Sequence, residues 1–198
     1  MKFVFITLVT IVALAAIAQT IVSKSTAKTK TIEYKTLAQK NGFEIREYPE
    51  LLVASTVLNG STYSDNSSSG FRKIASYIFG GNSANQQIAM TSPVQMEMSS
   101  EPTMSFFMPS DVESMDLPIP NRDDVSVHVQ ASKIVAVVEF SGWASDEVLS
   151  QQFSALKSRL IEESIEFEDT YSYLGYNPPY QLINRKNEII IPLKSYRN

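Results

Sequence analysis

The order of the structural signals constrains this chain most, because the same order occurs twice. In the first half, alternation at Phe43 and Ile45 and the apolar run LLVASTVL (51–58) read as strands. A polar loop, NGSTYSDNSSSG (59–70), leads to Phe71, Ile74, Ala75 and Ile78 at helical spacing, and Gly80-Gly81-Asn82 ends that helix. IAMTSPVQMEM (88–98) and MSFFMP (104–109) read as a strand pair, followed by the proline-rich connection LPIPNRDD (117–124). The second half repeats the sequence of events. VSVHVQ (125–130) and KIVAVVEFSG (133–142) are strands; Ser145 is an N-cap with Asp146 and Glu147 behind it; Leu149, Phe153, Leu156 and Leu160 form the inward side of a helix. DTYSYLGY (169–176), a turn at Asn177-Pro178-Pro179 and EIIIPL (188–193) close the chain. Each half therefore reads strand, strand, helix, strand, strand, without obvious residue identity between them. The expected class is α+β, an antiparallel sheet with two helices.

Size and charge narrow the rest. The 198 residues, 43% hydrophobic, suffice for one well-packed core, so 31–198 is expected to form one domain. With 17 basic against 21 acidic residues, the net charge of -4 offers no broad positive field for phosphate contacts, and nucleic acid is not an expected partner. The absence of cysteine excludes disulfides, thiolate metal ligands and cysteine nucleophiles together. At the N-terminus, 3–22 carries no charge. It reads either as a signal peptide with its exit at Ala16-Ile17-Ala18 or as a membrane anchor, 20 residues being enough for a bilayer of roughly 30 Å. Segment 1–22 is thus the hydrophobic segment and 23–30, rich in Ser, Thr, Lys and Ala, a solvated tether. The expected setting is membrane-anchored or exported, the side of the membrane being open between Lys2 and the group Lys24, Lys28 and Lys30.

Catalytic signals are sparse. His128 is the single histidine, and alternation with Val125, Val127 and Val129 turns it, with Ser126 and Gln130, to the solvent side of its strand. No G-x-S-x-G elbow accompanies it, and Gly80-Gly81 lacks the Lys-Ser/Thr of a phosphate loop. Glu162, Glu163, Glu166, Glu168 and Asp169 read as a charged helix end rather than a metal site. Neither an enzyme nor a metal centre is expected. Met90, Met96, Met98, Met104 and Met108 with Phe106 and Phe107, and Tyr171, Tyr173, Tyr176 and Tyr180 near the last strand, read either as core packing or as an adaptable wall for a large flat ligand.

Six ordered segments, FEIREYPELLVAST (43–56), GFRKIASYIFGGN (70–82), IAMTSPV (88–94), FFMPS (106–110), FSGWAS (140–145) and GYNPPYQLINRKNEIII (175–191), give a chain that resembles the SOUL heme-binding protein family. The resemblance implies a distorted eight-stranded antiparallel β-barrel with two flanking helices, built from two similar halves. It also implies non-covalent binding of heme or a related tetrapyrrole on an apolar surface formed by the first helix of the barrel and the aromatic-proline corner. On this chain the matching positions are Phe71, Ala75 and Ile78 on the helix and Tyr176, Asn177 and Pro178 at the corner. Arg72 and Lys73 are the cations expected near ligand carboxylates. Where some members carry a histidine after the arginine of E-I-R-x-Y, this chain has Glu47, so no histidine-iron bond is expected. The alternative is an interaction module that keeps the barrel and no longer binds heme.

Overall fold

A computed structural model describes residues 2–26 and 28–196; the side chains at 2–6, 8, 9, 15 and 115 lie outside the description. The elements in chain order are α1 (Lys2–Thr26), β1 (Lys35–Lys40), β2 (Phe43–Tyr48), β3 (Leu51–Val57), α2 (Tyr63–Ile78), β4 (Val94–Met98), β5 (Thr103–Phe107), a 3-10 turn (Ser114–Asp116), β6 (Ser126–Gln130), β7 (Lys133–Ser141), α3 (Asp146–Glu162), β8 (Tyr171–Gly175) and β9 (Lys186–Pro192). The nine strands form one antiparallel sheet in the order β1-β2-β7-β9-β8-β4-β5-β3-β6, curled as a distorted half-barrel.

Set β1 aside and eight strands remain, four from each half. Exchanging β2 with β6, β3 with β7, β4 with β8 and β5 with β9 turns the strand order into its own reverse. The halves are therefore related by a pseudo-two-fold passing between β8 and β4, which pair Val94 with Gly175 and Met98 with Tyr171. They also interlock: the first strand of each half, β2 or β6, pairs with the second strand of the other, β7 or β3.

Alternation divides the sheet into two faces. On one, Ile45, Ala54, Met96, Met104, Phe106, Ala136, Val138, Ile189 and Ile191 are buried against Ile74, Tyr77 and Ile78 of α2 and Leu149, Leu156 and Leu160 of α3. Each of these side chains larger than alanine contributes about 1.5–3 kcal/mol, so this cluster carries most of the fold. On the second face a smaller cluster gathers Tyr48, Val135, Val137, Leu174 and Ile190, with Ile32, Leu51 and Tyr176 packed against it. Met96, Met104 and Met108 are core residues, whereas Met90 is exposed, so the methionine group serves mainly as packing.

Three local expectations are corrected. Segment 59–70 is not all loop: α2 begins at Tyr63, because Thr62 accepts from the Asp65 N–H as N-cap and Asn66 ties back to Gly60 N and Thr62 O. Segment 88–93 is irregular and the strand starts only at Val94. The tether is shorter than 23–30, since α1 runs through Thr26, whose hydroxyl donates to Val22 O one turn back. The anchor reading of 3–22 falls partly on undescribed side chains; among the described residues, no helix is long and apolar enough to cross a membrane. Ile11, Val12, Leu14, Ile17 and Ile21 of α1 are exposed.

Candidate functional site

The closing strand carries an unexpected residue. Glu188 lies in β9 beside Ile189, Ile190 and Ile191, and it is 0% exposed. Burial of a carboxylate needs cations and donors close by, and three side chains supply them. Arg46 of β2, 3% exposed, donates from its Nη1 to Glu188 Oε1 at 3.0 Å and from its Nε to Glu44 Oε2 at 2.6 Å. Lys186 Nζ lies 3.1 Å from the same Glu188 oxygen and 3.2 Å from Glu139. The Tyr176 hydroxyl donates to Glu188 Oε2 at 2.7 Å. Both cations also face rings, Arg46 at 4.1 Å from the Tyr34 centroid and Lys186 at 4.6 Å from that of Tyr176. Burial, followed by the Glu188 charge, holds the Tyr176 phenol well above its ordinary pKa, and burial pushes that of Tyr48 up to about 12. Both phenols are therefore protonated at neutral pH, the Tyr176 hydroxyl donating to Glu188 and that of Tyr48 accepting from Arg46 Nη1.

The aromatic-proline corner closes over this network. Asn177 Oδ1 accepts from Lys186 N at 2.6 Å, and Arg185 Nη1 donates to Pro178 O at 2.9 Å and Gln181 O at 2.7 Å. The Arg185 guanidinium stands 4.2 Å over the Trp143 ring. Gln181 Nε2 donates to Ile183 O and Asn184 O, while its Oε1 is buried without a partner among the described residues. Arg185 Nε is in the same condition. The end of α1 reaches this corner: the Gln19 side chain donates to Tyr180 O at 3.2 Å and accepts from Leu182 N at 2.8 Å, as a neighbouring strand would. Between α1 and the corner lies a groove of about 370 Å³, within the roughly 300–1,000 Å³ range of small-molecule sites. Ser23 and Thr26 of α1, Ile32 and Tyr34, and Tyr176, Gln181 and Lys186 line it.

The structure brings some of the expected site residues together. Tyr176 and Asn177 line the groove, and Pro178 braces it through its carbonyl. The α2 residues stand elsewhere. Ala75 and Ile78 are buried in the main core, so the apolar face of α2 is consumed by β3 and β5 and forms no outward ledge there. Phe71 is half-buried, 5.1 Å from the Phe106 ring; Arg72 is exposed; Lys73 pairs with Asp124 at 3.2 Å. His128 is exposed on the edge strand β6, opposite Val53. Among the described residues no group of three or more His, Asp or Glu is placed to hold a metal. Glu188, Arg46, Tyr34 and Lys186 were not expected from sequence; an acid beside three isoleucines was the available signal.

The family model described as SOUL heme-binding protein matches residues 29–192. Heme-binding protein 2 of Homo sapiens is 34% identical over 160 residues, covering 76% of this chain and 78% of that protein. Heme-binding protein 1 of Xenopus laevis is 26% identical over 161 residues, 76% of this chain and 84% of its own. The crystal structure of the EcmrR C-terminal domain superposes with a TM-score of 0.58 at 12% identity, covering 82% of this chain and 99% of that one, a likeness of fold alone.

Proposed function

The chain belongs to the SOUL heme-binding protein family, and on that premise we propose that it binds heme or a related tetrapyrrole without a covalent link, for carriage, buffering or sensing and not for turnover. The observation that carries the reading is the groove at the corner. Tyr34, Tyr176 and Ile32 offer ring and apolar contact to a flat ligand, and Lys186 offers an ammonium to a carboxylate arm. No histidine is among its lining residues. Bound heme would supply an iron and its visible absorbance; the residues of this chain hold and orient the ring.

A hemin titration followed in the Soret region tests this on the full chain. Tyr34→Ala should weaken binding about fivefold to tenfold, the worth of a ring contact, while His128→Ala changes nothing. Weakening by Phe71→Ala with Arg72→Ala, and none by Tyr34→Ala, would move the site to the outer side of α2. The exposed Tyr180, Leu182 and Ile183 favour a second reading, an interaction surface on a barrel that takes no heme; an absorbance that never changes would select it. We also assign the chain to a membrane-anchored or exported setting through its N-terminal segment, supported by the outward apolar side chains of α1. Release of the protein into the soluble fraction of the cells that made it, at its full length, would overturn that assignment.

A further inference from the structure

Residues 29–34 cross the second face of the sheet as a strap. One end is pinned by backbone bonds: Ser92 N donates to Lys30 O at 2.9 Å and Ile32 N to Ser92 O at 3.3 Å. At the other end the Tyr34 ring meets Tyr48 edge-on at 5.5 Å and carries the Arg46 guanidinium on its face. Ile32, half-buried, packs its side chain against the smaller apolar cluster. Ile32 lines the groove on one side and, on the other, a seam with no room for a water molecule. The apolar walls of that seam come from Tyr48, Leu51, Phe107 and Leu174.

Two polar atoms in the seam contradict its apolar surroundings. The carboxamide oxygens of Gln95, 2% exposed, and Gln130 are buried and accept no hydrogen bond from the described residues. Gln95 lines the seam and donates from its Nε2 to Ser172 Oγ at 3.0 Å, while its oxygen has no donor of its own among the described residues. The orphaned Gln181 oxygen sits on the groove side of the same plug. Two buried acceptors in the seam and a third in the groove, with Ile32 lining both, ask for a molecule with several N–H or O–H donors on an apolar body.

We propose that the second face beneath the 29–34 strap is a ligand cleft closed by Ile32, and that it takes an open-chain tetrapyrrole whose N–H groups meet the oxygens of Gln95, Gln130 and Gln181. This rests on the tetrapyrrole reading above and narrows it. A closed macrocycle turns its nitrogens toward its own centre, and in heme they are bound to iron; an open chain presents pyrrole and lactam N–H groups at its edge. Lys133, which also lines the seam, supplies a cation for a propionate.

The experiment titrates biliverdin and, separately, hemin into the full-length chain, reading induced circular dichroism and absorbance, with hydrogen exchange measured at the backbone amides of 29–34. Biliverdin should bind and speed exchange at Ile32. Ile32→Ala should tighten biliverdin about fivefold, because less apolar contact holds the strap shut. Gln95→Met should weaken it about tenfold, the worth of one hydrogen bond to a buried acceptor, while still melting in one cooperative transition, which shows that the variant folds despite losing the bond to Ser172. Hemin binding without biliverdin binding overturns the open-chain assignment and leaves the family reading standing. Biliverdin binding with unchanged exchange at 29–34, or with unchanged affinity in Gln95→Met, overturns the cleft. Binding of neither overturns both readings.

Discussion

Glu188 is where the second face is most sensitive to single changes. Its carboxylate is shared by Arg46, Lys186 and Tyr176, and each of those groups depends on it in return. Glu188→Leu leaves the buried Arg46 guanidinium with Glu44 as its remaining carboxylate partner, and should cost about 3–5 kcal/mol in urea unfolding. Arg46→Met combined with Glu188→Leu should recover much of that loss, because an apolar pair of similar volume has no charge to desolvate. The phenols give a pH dependence of definite sign. Tyr48 has a folded-state pKa of about 12 against the ordinary 10.0, so the folded state prefers the protonated phenol. Its contribution is complete below pH 10 and is lost as pH rises from 10 to 12, on the order of 3 kcal/mol. Tyr176 and Tyr173 shift in the same direction. Urea midpoints measured from pH 8 to 12 should fall above 10, and Tyr48→Phe should flatten that fall. None of this was legible in one sequence: Arg46 and Glu188 are 142 positions apart, and a charged residue in a strand ordinarily reads as solvent-facing.

At the scale of elements, the helix starts are coupled across the two halves. Asp146, in the first turn of α3, accepts from Tyr63 N at 2.6 Å and from Ser64 N and Oγ, so it also caps the start of α2. Hydrogen bonding from Ser64 holds its carboxyl below the usual carboxylate range. Asp146→Ala removes a cap and leaves N–H groups unpaired, and should cost about 1–2 kcal/mol, seen as a lower melting temperature. Ser145→Ala, which removes only the α3 cap at Val148 N, should cost about 1 kcal/mol. The α3 boundary was readable because Ser145-Asp146-Glu147 announces it, and Leu149, Leu156 and Leu160 are fully buried as their spacing requires. The start of α2 was not, although Thr62-Tyr63-Ser64-Asp65 is a capping sequence. Gly60 and the serines around it conceal the periodicity, and the cap that completes it comes from the other half. The α2 site residues failed to form a ledge for a related reason. The same spacing that marks Phe71, Ala75 and Ile78 as one apolar face also marks that face for burial against the sheet.

For the molecule as a whole, the repeated element order was enough to anticipate two similar halves, since alternation and turn residues are local signals; that they interlock shows only in the strand pairing. The ninth strand, β1, was missed because KTLAQK lacks an apolar alternation; it pairs with β2 at the sheet edge through its backbone, with a shift of register between Thr36 and Ala38. The residues of the candidate groove were legible only at the corner, where prolines and tyrosines stand together, and not at the strap or the buried ion network, which exist only once distant segments meet. The most direct test of the central claim is a hemin titration of the parent chain beside Tyr34→Ala and His128→Ala. The account predicts a saturable Soret shift in the parent, a weaker one in Tyr34→Ala and an unaltered one in His128→Ala. A shift abolished by His128→Ala and untouched by Tyr34→Ala would contradict it.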